Sequence, residues 1–223
     1  MKYLHWSEKT ISDFSDETVR DMYENGFVFT RLGHGEMQQT RSVRIDLSKF
    51  KLTSENRRIL NRTSTLKFHV YNLPLDKYDF RIGKMAKDFY DSKFGTGVMS
   101  AQKIKQMLTD SRSSNFNTLF EYLDDSPDLT PTAAVGYAIA YASKYLIHYS
   151  YPFYDLNCQK DMGLGMMIRA ILHAEANGSR YFYLGSLQRA ADVYKLQFEG
   201  LEWFDGQKWS HDLNEVKNIL AKI

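Results

Sequence analysis

The sequence predicts a mixed α/β fold, and three observations carry this prediction. The second half of the chain alternates strand-like and helix-like patterns in the order strand, strand, strand, helix, strand, helix, strand. A long helical pattern over 76–109, interrupted at 94–97, precedes that series. Of the 223 residues, 43% are hydrophobic and 14% are aromatic, which is enough to form a sizeable core. A helix between two strands of the chain can cross over between neighbouring strands of one sheet.

Short periodic segments predict the elements of the first half. An amphipathic helix is predicted over 11–25, with Gly26 as its stop. The basic segment 54–62 is a second helix or turn, which Ser54 can cap. The segment 33–40 is predicted to be a loop. Strands are predicted at three places: 27–32, 41–50 and 65–73.

The elements of the second half are longer and more regular. The helix from Met162 to Asn177 is predicted to end with Gly178 in the C-cap role. Asp205-Gly206 is predicted to form the two-residue turn of a hairpin over 201–210. The other predicted elements are a strand over 116–124, two antiparallel strands within 133–155 that turn near 143–144, a strand over 181–187, a short helix over 190–198 and a last helix over 213–223.

Composition excludes several classes of protein. The formal net charge of +2 is mild, so any contact with nucleic acid must come from a local basic patch. Cys158 is the single cysteine, which rules out an intrachain disulfide or a cysteine metal cage, and the six histidines lack close metal-ligand spacing. No segment approaches the roughly 18 apolar residues of a membrane helix. Because the N-terminus also lacks a signal-peptide core, we expect a cytoplasmic protein that binds neither metal nor membrane.

Two glycines lie between a predicted strand and the helix that follows it. The pattern Lys160-x-x-Gly163-x-Gly165 fits the form by which acyltransferases cradle the pyrophosphate of coenzyme A, with backbone N–H groups and the helix dipole facing the anion. Asp161 lies inside the turn and would repel phosphate. Two interpretations remain at this point: an anion site, or tight strand–helix packing with no ligand.

Four stretches occur in an order that is typical of one family. They are SENRRILNR (54–62), MGLGMMIRAI (162–171), RYFYLGS (180–186) and VYKLQFEGLEWFDGQKW (193–209). Together they resemble segments of arginyl-tRNA–protein transferases and of the related bacterial leucyltransferases, over roughly 26–70 and 133–210. The sequence departs from the family at the loop 33–40, which lacks the family's cysteines. Iron–sulfur or redox regulation is therefore not expected.

The resemblance implies a fold and an activity. The fold is acetyltransferase-like (GNAT-like), with a mostly antiparallel sheet flanked by helices. A catalytic domain would span 76–223, with an N-terminal region over 1–75 packed on it. The activity is transfer of an amino acid, arginine or leucine, from aminoacyl-tRNA to the N-terminal amine of a protein, which marks that protein for degradation. Aminoacyl-tRNA is the co-substrate, and no cofactor is required.

The reaction needs an aligned amine and ester, and donors for the tetrahedral oxyanion. Backbone N–H groups near Tyr183 and Gly185, at a strand end, can act as those donors. Gln159 can orient the ester or the amine. Asp155 can accept a proton directly or through water, and the alternative is that it serves as a turn or cap residue.

The binding candidates are basic or aromatic. Arg57, Arg58 and Arg62 can clamp an acidic residue of the acceptor or contact tRNA phosphates, and the alternative is a solvated basic face. Tyr194 can stack on the tRNA 3′ end and Lys195 can contact it, and the alternative is an exposed lysine beside a core tyrosine. The turn formed by Lys160, Gly163 and Gly165 would face a tRNA phosphate or no anion.

Two rival functions remain beside the transferase. An acyl-coenzyme A N-acetyltransferase with acetyl-CoA as co-substrate would use the turn at Gly163 and Gly165 for the pyrophosphate. A non-catalytic protein that binds tRNA or protein ends would share the basic segment 54–62. That segment and the Tyr194-Lys195 pair favour the transferase over the acetyltransferase, because simple acetyltransferases need neither.

Overall fold

A computed structural model describes residues 3–125, 133–158 and 160–223. The elements in chain order are β1 (Ser7–Thr10), α1 (Asp16–Glu24), β2 (Phe27–Phe29), β3 (Glu36–Gln39), β4 (Ser42–Asp46), α2 (Ser54–Arg62), β5 (Leu66–Asn72), α3 (Phe80–Phe94), α4 (Ala101–Thr109), β6 (Thr118–Asp124), β7 (Ala133–Ala142), β8 (Leu146–Tyr154), α5 (Met162–Ala176), β9 (Tyr181–Ser186), a 3₁₀ helix (Ala190–Gln197), β10 (Leu201–Phe204), β11 (Trp209–Ser210) and α6 (Leu213–Leu220).

The described residues fall into two compact units. The first unit comprises 3–53, 143–148 and 174–223. The second unit comprises 54–125, 133–142, 149–158 and 160–173. Both units draw residues from either side of residue 75, and the division into a region 1–75 and a catalytic domain 76–223 stays a prediction.

Antiparallel pairing dominates both units. In the first unit, β1, β3 and β2 form a three-stranded antiparallel sheet, and a second sheet has the order β11-β10-β4-β9-β8. The strands of the second unit have the order β8-β7-β6-β5. Among the registers of the described residues, the β8–β9 ladder is parallel and all others are antiparallel.

The sheets carry buried apolar side chains and are covered by helices. In the first unit, Val43 and Ile45 of β4 are fully buried, and the ring of Tyr23 in α1 contacts that of Tyr183 in β9. In the second unit, the hydroxyl of Tyr122 in β6 donates to the carbonyl of Met166 in α5 (2.9 Å). The predicted mixed α/β fold, with a mostly antiparallel sheet flanked by helices, is therefore confirmed.

Two local predictions were wrong. The predicted loop 33–40 contains β3, whose backbone pairs with β1 on one side and β2 on the other. Only Met37 of this polar strand is buried, so the sequence carries no alternating pattern. In the hairpin, the last ladder pair is Phe204 with Trp209 and the N–H of Asp205 donates to the carbonyl of Lys208 (3.0 Å), so the turn does not have Asp205-Gly206 as its two central residues. The Asp205 carboxylate accepts from the N–H groups of Gln207 (2.8 Å) and Lys208 (2.9 Å).

Candidate functional site

The end of β9, in the first unit, carries a β-bulge. Ser42 of β4 pairs with Ser186, and Arg44 pairs with Tyr183. Val43 therefore faces two residues of β9, the second of which is Gly185. Gly185 has φ +77°, and a Cβ atom built on it would meet no atom within 4 Å. A bulge disrupts the ladder and leaves its extra residue unpaired, and the side-chain position of Gly185 faces open space.

The side chain of Tyr183 is committed to the structure of the first unit. It is fully buried, and its hydroxyl accepts from Nη1 of Arg44 (3.2 Å) and donates to the carbonyl of Tyr23 (3.2 Å). Burial raises the pKa of Tyr183. Arg44 in turn donates from Nε to Glu202 (2.7 Å). Any catalytic contribution of Tyr183 is therefore restricted to its backbone.

The guanidinium of Arg44 is held by aromatic faces as well as by charge. Its Cζ lies 3.8 Å from the ring centroid of Tyr181 and 3.9 Å from that of Trp209. Both distances are within the range of a cation–π interaction. Arg44 thus joins β4, β9 and β11 within the first unit.

The environments of Lys195 and Tyr194 are the opposite of an exposed lysine beside a core tyrosine. Lys195 is half-buried, and its Nζ donates to the carbonyl of Ser186 (2.8 Å) at the end of β9. Burial lowers the pKa of Lys195. The ring of Tyr194 is 41% exposed, so it is accessible for stacking. The alternative of an exposed lysine beside a core tyrosine is therefore wrong.

A buried histidine lies in the same unit. The Nδ1 atom of His148 is 2.8 Å from the hydroxyl of Tyr23. Burial, together with the positive charge of Lys195, lowers the pKa of His148 to about 3. The imidazole is therefore neutral at pH 7. No residue near His148 in the chain marks it as buried beside a cation, so the sequence predicts no role for it.

Packing accounts for both glycines at the start of α5, in the second unit. A Cβ atom on Gly163 would lie 2.9 Å from Cε1 of Tyr154, and one on Gly165 would lie 2.6 Å from Oγ1 of Thr63. Real Cβ atoms do not approach so closely, so each glycine permits close contact of α5 with its neighbour. The interpretation of tight packing therefore explains this motif without a ligand.

We expect Gly165→Ala to lower the free energy of unfolding by about 1–3 kcal/mol, because the new methyl group overpacks Thr63. Thr63→Ala removes the two nearest atoms, so the double variant should lose less stability than the two single variants combined. A coupling of about 1 kcal/mol in urea unfolding is the expected result. Unchanged stability of Gly165→Ala would contradict the packing account and return this turn to the anion interpretation.

The start of α5 also bears a carboxylate. Asp161 has φ +67°, and its carboxylate pairs with Arg62 of α2. Its carbonyl accepts from the N–H of Gly165 (2.8 Å). A negative side chain here opposes a phosphate at the same helix terminus.

The basic segment of α2 is partly neutralised. Arg58 donates from Nε to Glu55 (2.7 Å), and this bond, with a smaller contribution from the charge of Lys160, lowers the pKa of Glu55. Arg57 and Lys160 are exposed. The structure thus brings the four residues of a basic cluster, Arg57, Arg58, Arg62 and Lys160, to one region of the second unit. It also places Glu55 and Asp161 among them.

The carboxylate of Asp155 stabilises a turn. Its Oδ1 accepts from the backbone N–H (2.9 Å) and from Nδ2 (2.9 Å) of Asn157. Asp155 also lines a cleft of about 410 Å³ in the second unit, which α3 and the end of β8 form. The predicted role of Asp155 as proton acceptor stays a prediction. Gln159 lies outside the described residues.

Comparison with known proteins gives weak likenesses. No protein-family model and no curated protein sequence matches the chain. The structure of L-PGS from Bacillus licheniformis is 13% identical with a TM-score of 0.49, over 93% of this chain and 69% of that one. FemX is 8% identical with a TM-score of 0.48, over 78% and 60% of the two chains. A GCN5-related glucosamine N-acetyltransferase region of a fungal β-N-acetylglucosaminidase is 8% identical with a TM-score of 0.45, over 87% and 22%. Likenesses at this level assign the chain to no family.

The described residues offer neither a metal-binding cluster nor a membrane-spanning helix. Within 3–125, 133–158 and 160–223, no three His, Cys, Asp or Glu side chains are placed to hold a metal ion. No helix in the described part of the chain is long and apolar enough to cross a membrane.

Proposed function

We propose that the protein is an aminoacyl-tRNA-dependent transferase of GNAT-like fold. It moves an amino acid, arginine or leucine, from charged tRNA to the N-terminal amine of a protein or peptide. The acceptor would thereby enter degradation in the cytoplasm as an N-degron substrate. The observation that carries the proposal is the bulge at Gly185, which lies within RYFYLGS, one of the four stretches that resemble the transferases.

The chemistry needs little more than alignment and charge stabilisation. The amine nitrogen attacks the ester carbonyl carbon, a C–N bond forms, the C–O bond to the ribose breaks, and the ribose oxygen takes the proton that the amine loses. Backbone N–H groups near Tyr183 and Gly185 stabilise the oxyanion in this proposal. The ammonium of Lys195, which is bonded to the next carbonyl at Ser186, adds positive charge at the same strand end. In this proposal Asp155 accepts the proton of the amine and passes it to the ribose oxygen, and Gln159 orients the ester or the amine.

In this proposal the basic cluster binds the nucleic acid or the acceptor. Its four cations are opposed by Glu55 and Asp161, so the net positive charge is modest. That suits contact with a few phosphates of the tRNA acceptor end or with one acidic residue of the acceptor, rather than with a whole tRNA. The exposed ring of Tyr194 offers a surface on which a base can stack.

The coenzyme A alternative loses its main support. It depended on Gly163 and Gly165, and both glycines have a packing role against Tyr154 and Thr63. The carboxylate of Asp161 also stands at the helix terminus where the pyrophosphate would lie.

Transfer of radiolabelled arginine or leucine from charged tRNA to peptides that begin with Asp, Glu, Lys or Arg tests the proposal. The expected result is label in at least one peptide, with none when acetyl-CoA replaces charged tRNA. Stabilisation of the fold by acetyl-CoA but not by tRNA would overturn the proposal in favour of the acetyltransferase. Binding of tRNA without any transfer, while the charged tRNA stays intact, would favour the non-catalytic protein.

A further inference from the structure

Arg41 is a buried cation without a counter-ion among the described residues. Arg41 is the residue directly before β4, and it is only 8% exposed. Nη1 donates to the carbonyl of Leu187 (3.3 Å), whereas Nε has no hydrogen-bond partner in the described part of the chain. No described carboxylate forms an ion pair with it. A charge buried in this way is costly unless something pairs with it.

The carboxylate of Asp192, close in the chain to Leu187, is already engaged. Asp192 accepts from the backbone N–H groups of Gln188 (2.8 Å) and Arg189 (3.0 Å). It also pairs with the guanidinium of Arg189 (3.2 Å). Arg41 and Lys195, by contrast, donate to the neutral carbonyls of Leu187 and Ser186. The loop 186–189 thus carries more positive than negative charge.

The side chain of Gln188, within this loop, is hydrogen-bonded to neighbouring residues. The Gln188 side chain accepts from the N–H of Leu4 (2.7 Å) and donates to the hydroxyl of Thr40 (2.8 Å). Nε of Arg41 is a buried polar atom without a hydrogen-bond partner in the described part of the chain, and such an atom calls for an explanation. Burial lowers the pKa of Arg41, as expected for a cation that lacks a counter-ion.

We propose that Arg41 binds the carboxylate of a small molecule or peptide at the loop 186–189, with Lys195 as a second cation. Since Nη1 is engaged by Leu187, Nε is the donor of this guanidinium that is left without a partner in the described part of the chain. A planar carboxylate matches two parallel N–H donors of a guanidinium better than a tetrahedral anion does. The site does not depend on the proposed transfer reaction, because it is defined by binding alone.

Thermal unfolding of the full chain with sodium acetate tests the site, with sodium chloride at equal ionic strength as the reference. We expect a saturable rise of the melting temperature with acetate, since a ligand that binds the folded state stabilises it. In Arg41→Gln the apparent dissociation constant should rise at least about ten-fold, the effect of losing a charge-assisted hydrogen bond. Arg41→Lys should retain part of the response, and the matched control Arg112→Gln, at an exposed arginine, should retain all of it.

Three results would overturn the proposal: no saturable response, an equal response in Arg41→Gln, or a response to inorganic phosphate but not to acetate. A second measurement on the unmodified protein keeps the test valid if Arg41→Gln does not fold. The Nε–Hε NMR signal of Arg41 should move on titration with acetate and stay unchanged with chloride. An unmoved signal would remove Arg41 from the site.

Discussion

Deletion of Gly185 is expected to lower the rate of aminoacyl transfer at least about 100-fold while the chain stays folded. Val43 would then face Leu184 alone, so β4 and β9 would pair regularly between Ser42 and Arg44. In the proposed mechanism, the regular pairing would engage with β4 the N–H group that the bulge makes available to the oxyanion. Single-turnover transfer of a radiolabelled amino acid at saturating charged tRNA measures the loss.

Gly185→Ala is the matched control for this deletion. It keeps the bulge and the N–H group, and its Cβ meets no atom within 4 Å. The positive φ would cost about 1 kcal/mol of stability. Transfer should fall by less than about three-fold, which is far less than the loss of an oxyanion donor. A folded deletion variant that transfers at the unmodified rate would show that the bulge does not contribute to the reaction.

Periodic segments were the part of the fold that sequence could predict. The segment predicted as a helix or turn over 54–62 is the helix α2 (Ser54–Arg62), and the two strands predicted within 133–155 are β7 and β8. The cues for these elements lie in their own residues. β3 (Glu36–Gln39) has no such cue, because it is a polar strand that hydrogen bonds hold from both sides. Backbone hydrogen bonds of that kind do not require an alternating pattern of apolar side chains, so the sequence does not reveal the strand.

The environment of the candidate site residues was beyond local sequence reasoning. The hydroxyl of Tyr183 is bonded to Arg44, 139 positions away, and Arg41 is bonded to the carbonyl of Leu187, 146 positions away. Such contacts arise only when strands from distant parts of the chain pair. A motif can therefore mark Tyr183-Leu184-Gly185 as a strand end, but it cannot reveal that the phenol is buried and the glycine open to space.

Glu202→Gln is expected to lower the free energy of unfolding by about 3 kcal/mol, because it leaves Arg44 as a buried and unpaired charge. Both side chains of this ion pair are 8% exposed, and the Nε–Oε2 distance is 2.7 Å. Tyr183 and the rings of Tyr181 and Trp209 would remain around the guanidinium, but none of them carries a compensating negative charge. Urea unfolding, followed by fluorescence, measures the change.

Glu199→Gln is the matched control, because Glu199 is exposed in the same unit, and its cost should stay within about 0.5 kcal/mol. Replacing both partners, in Arg44→Met with Glu202→Met, should recover most of the stability, since apolar residues of similar volume can replace a buried ion pair at little cost. In Glu202→Gln, stability is lost because the charge of Arg44 is buried without a partner, and not because the ion pair was strongly attractive. A double variant less stable than Glu202→Gln would instead mean that the cation–π contacts of Arg44 hold β4, β9 and β11 together.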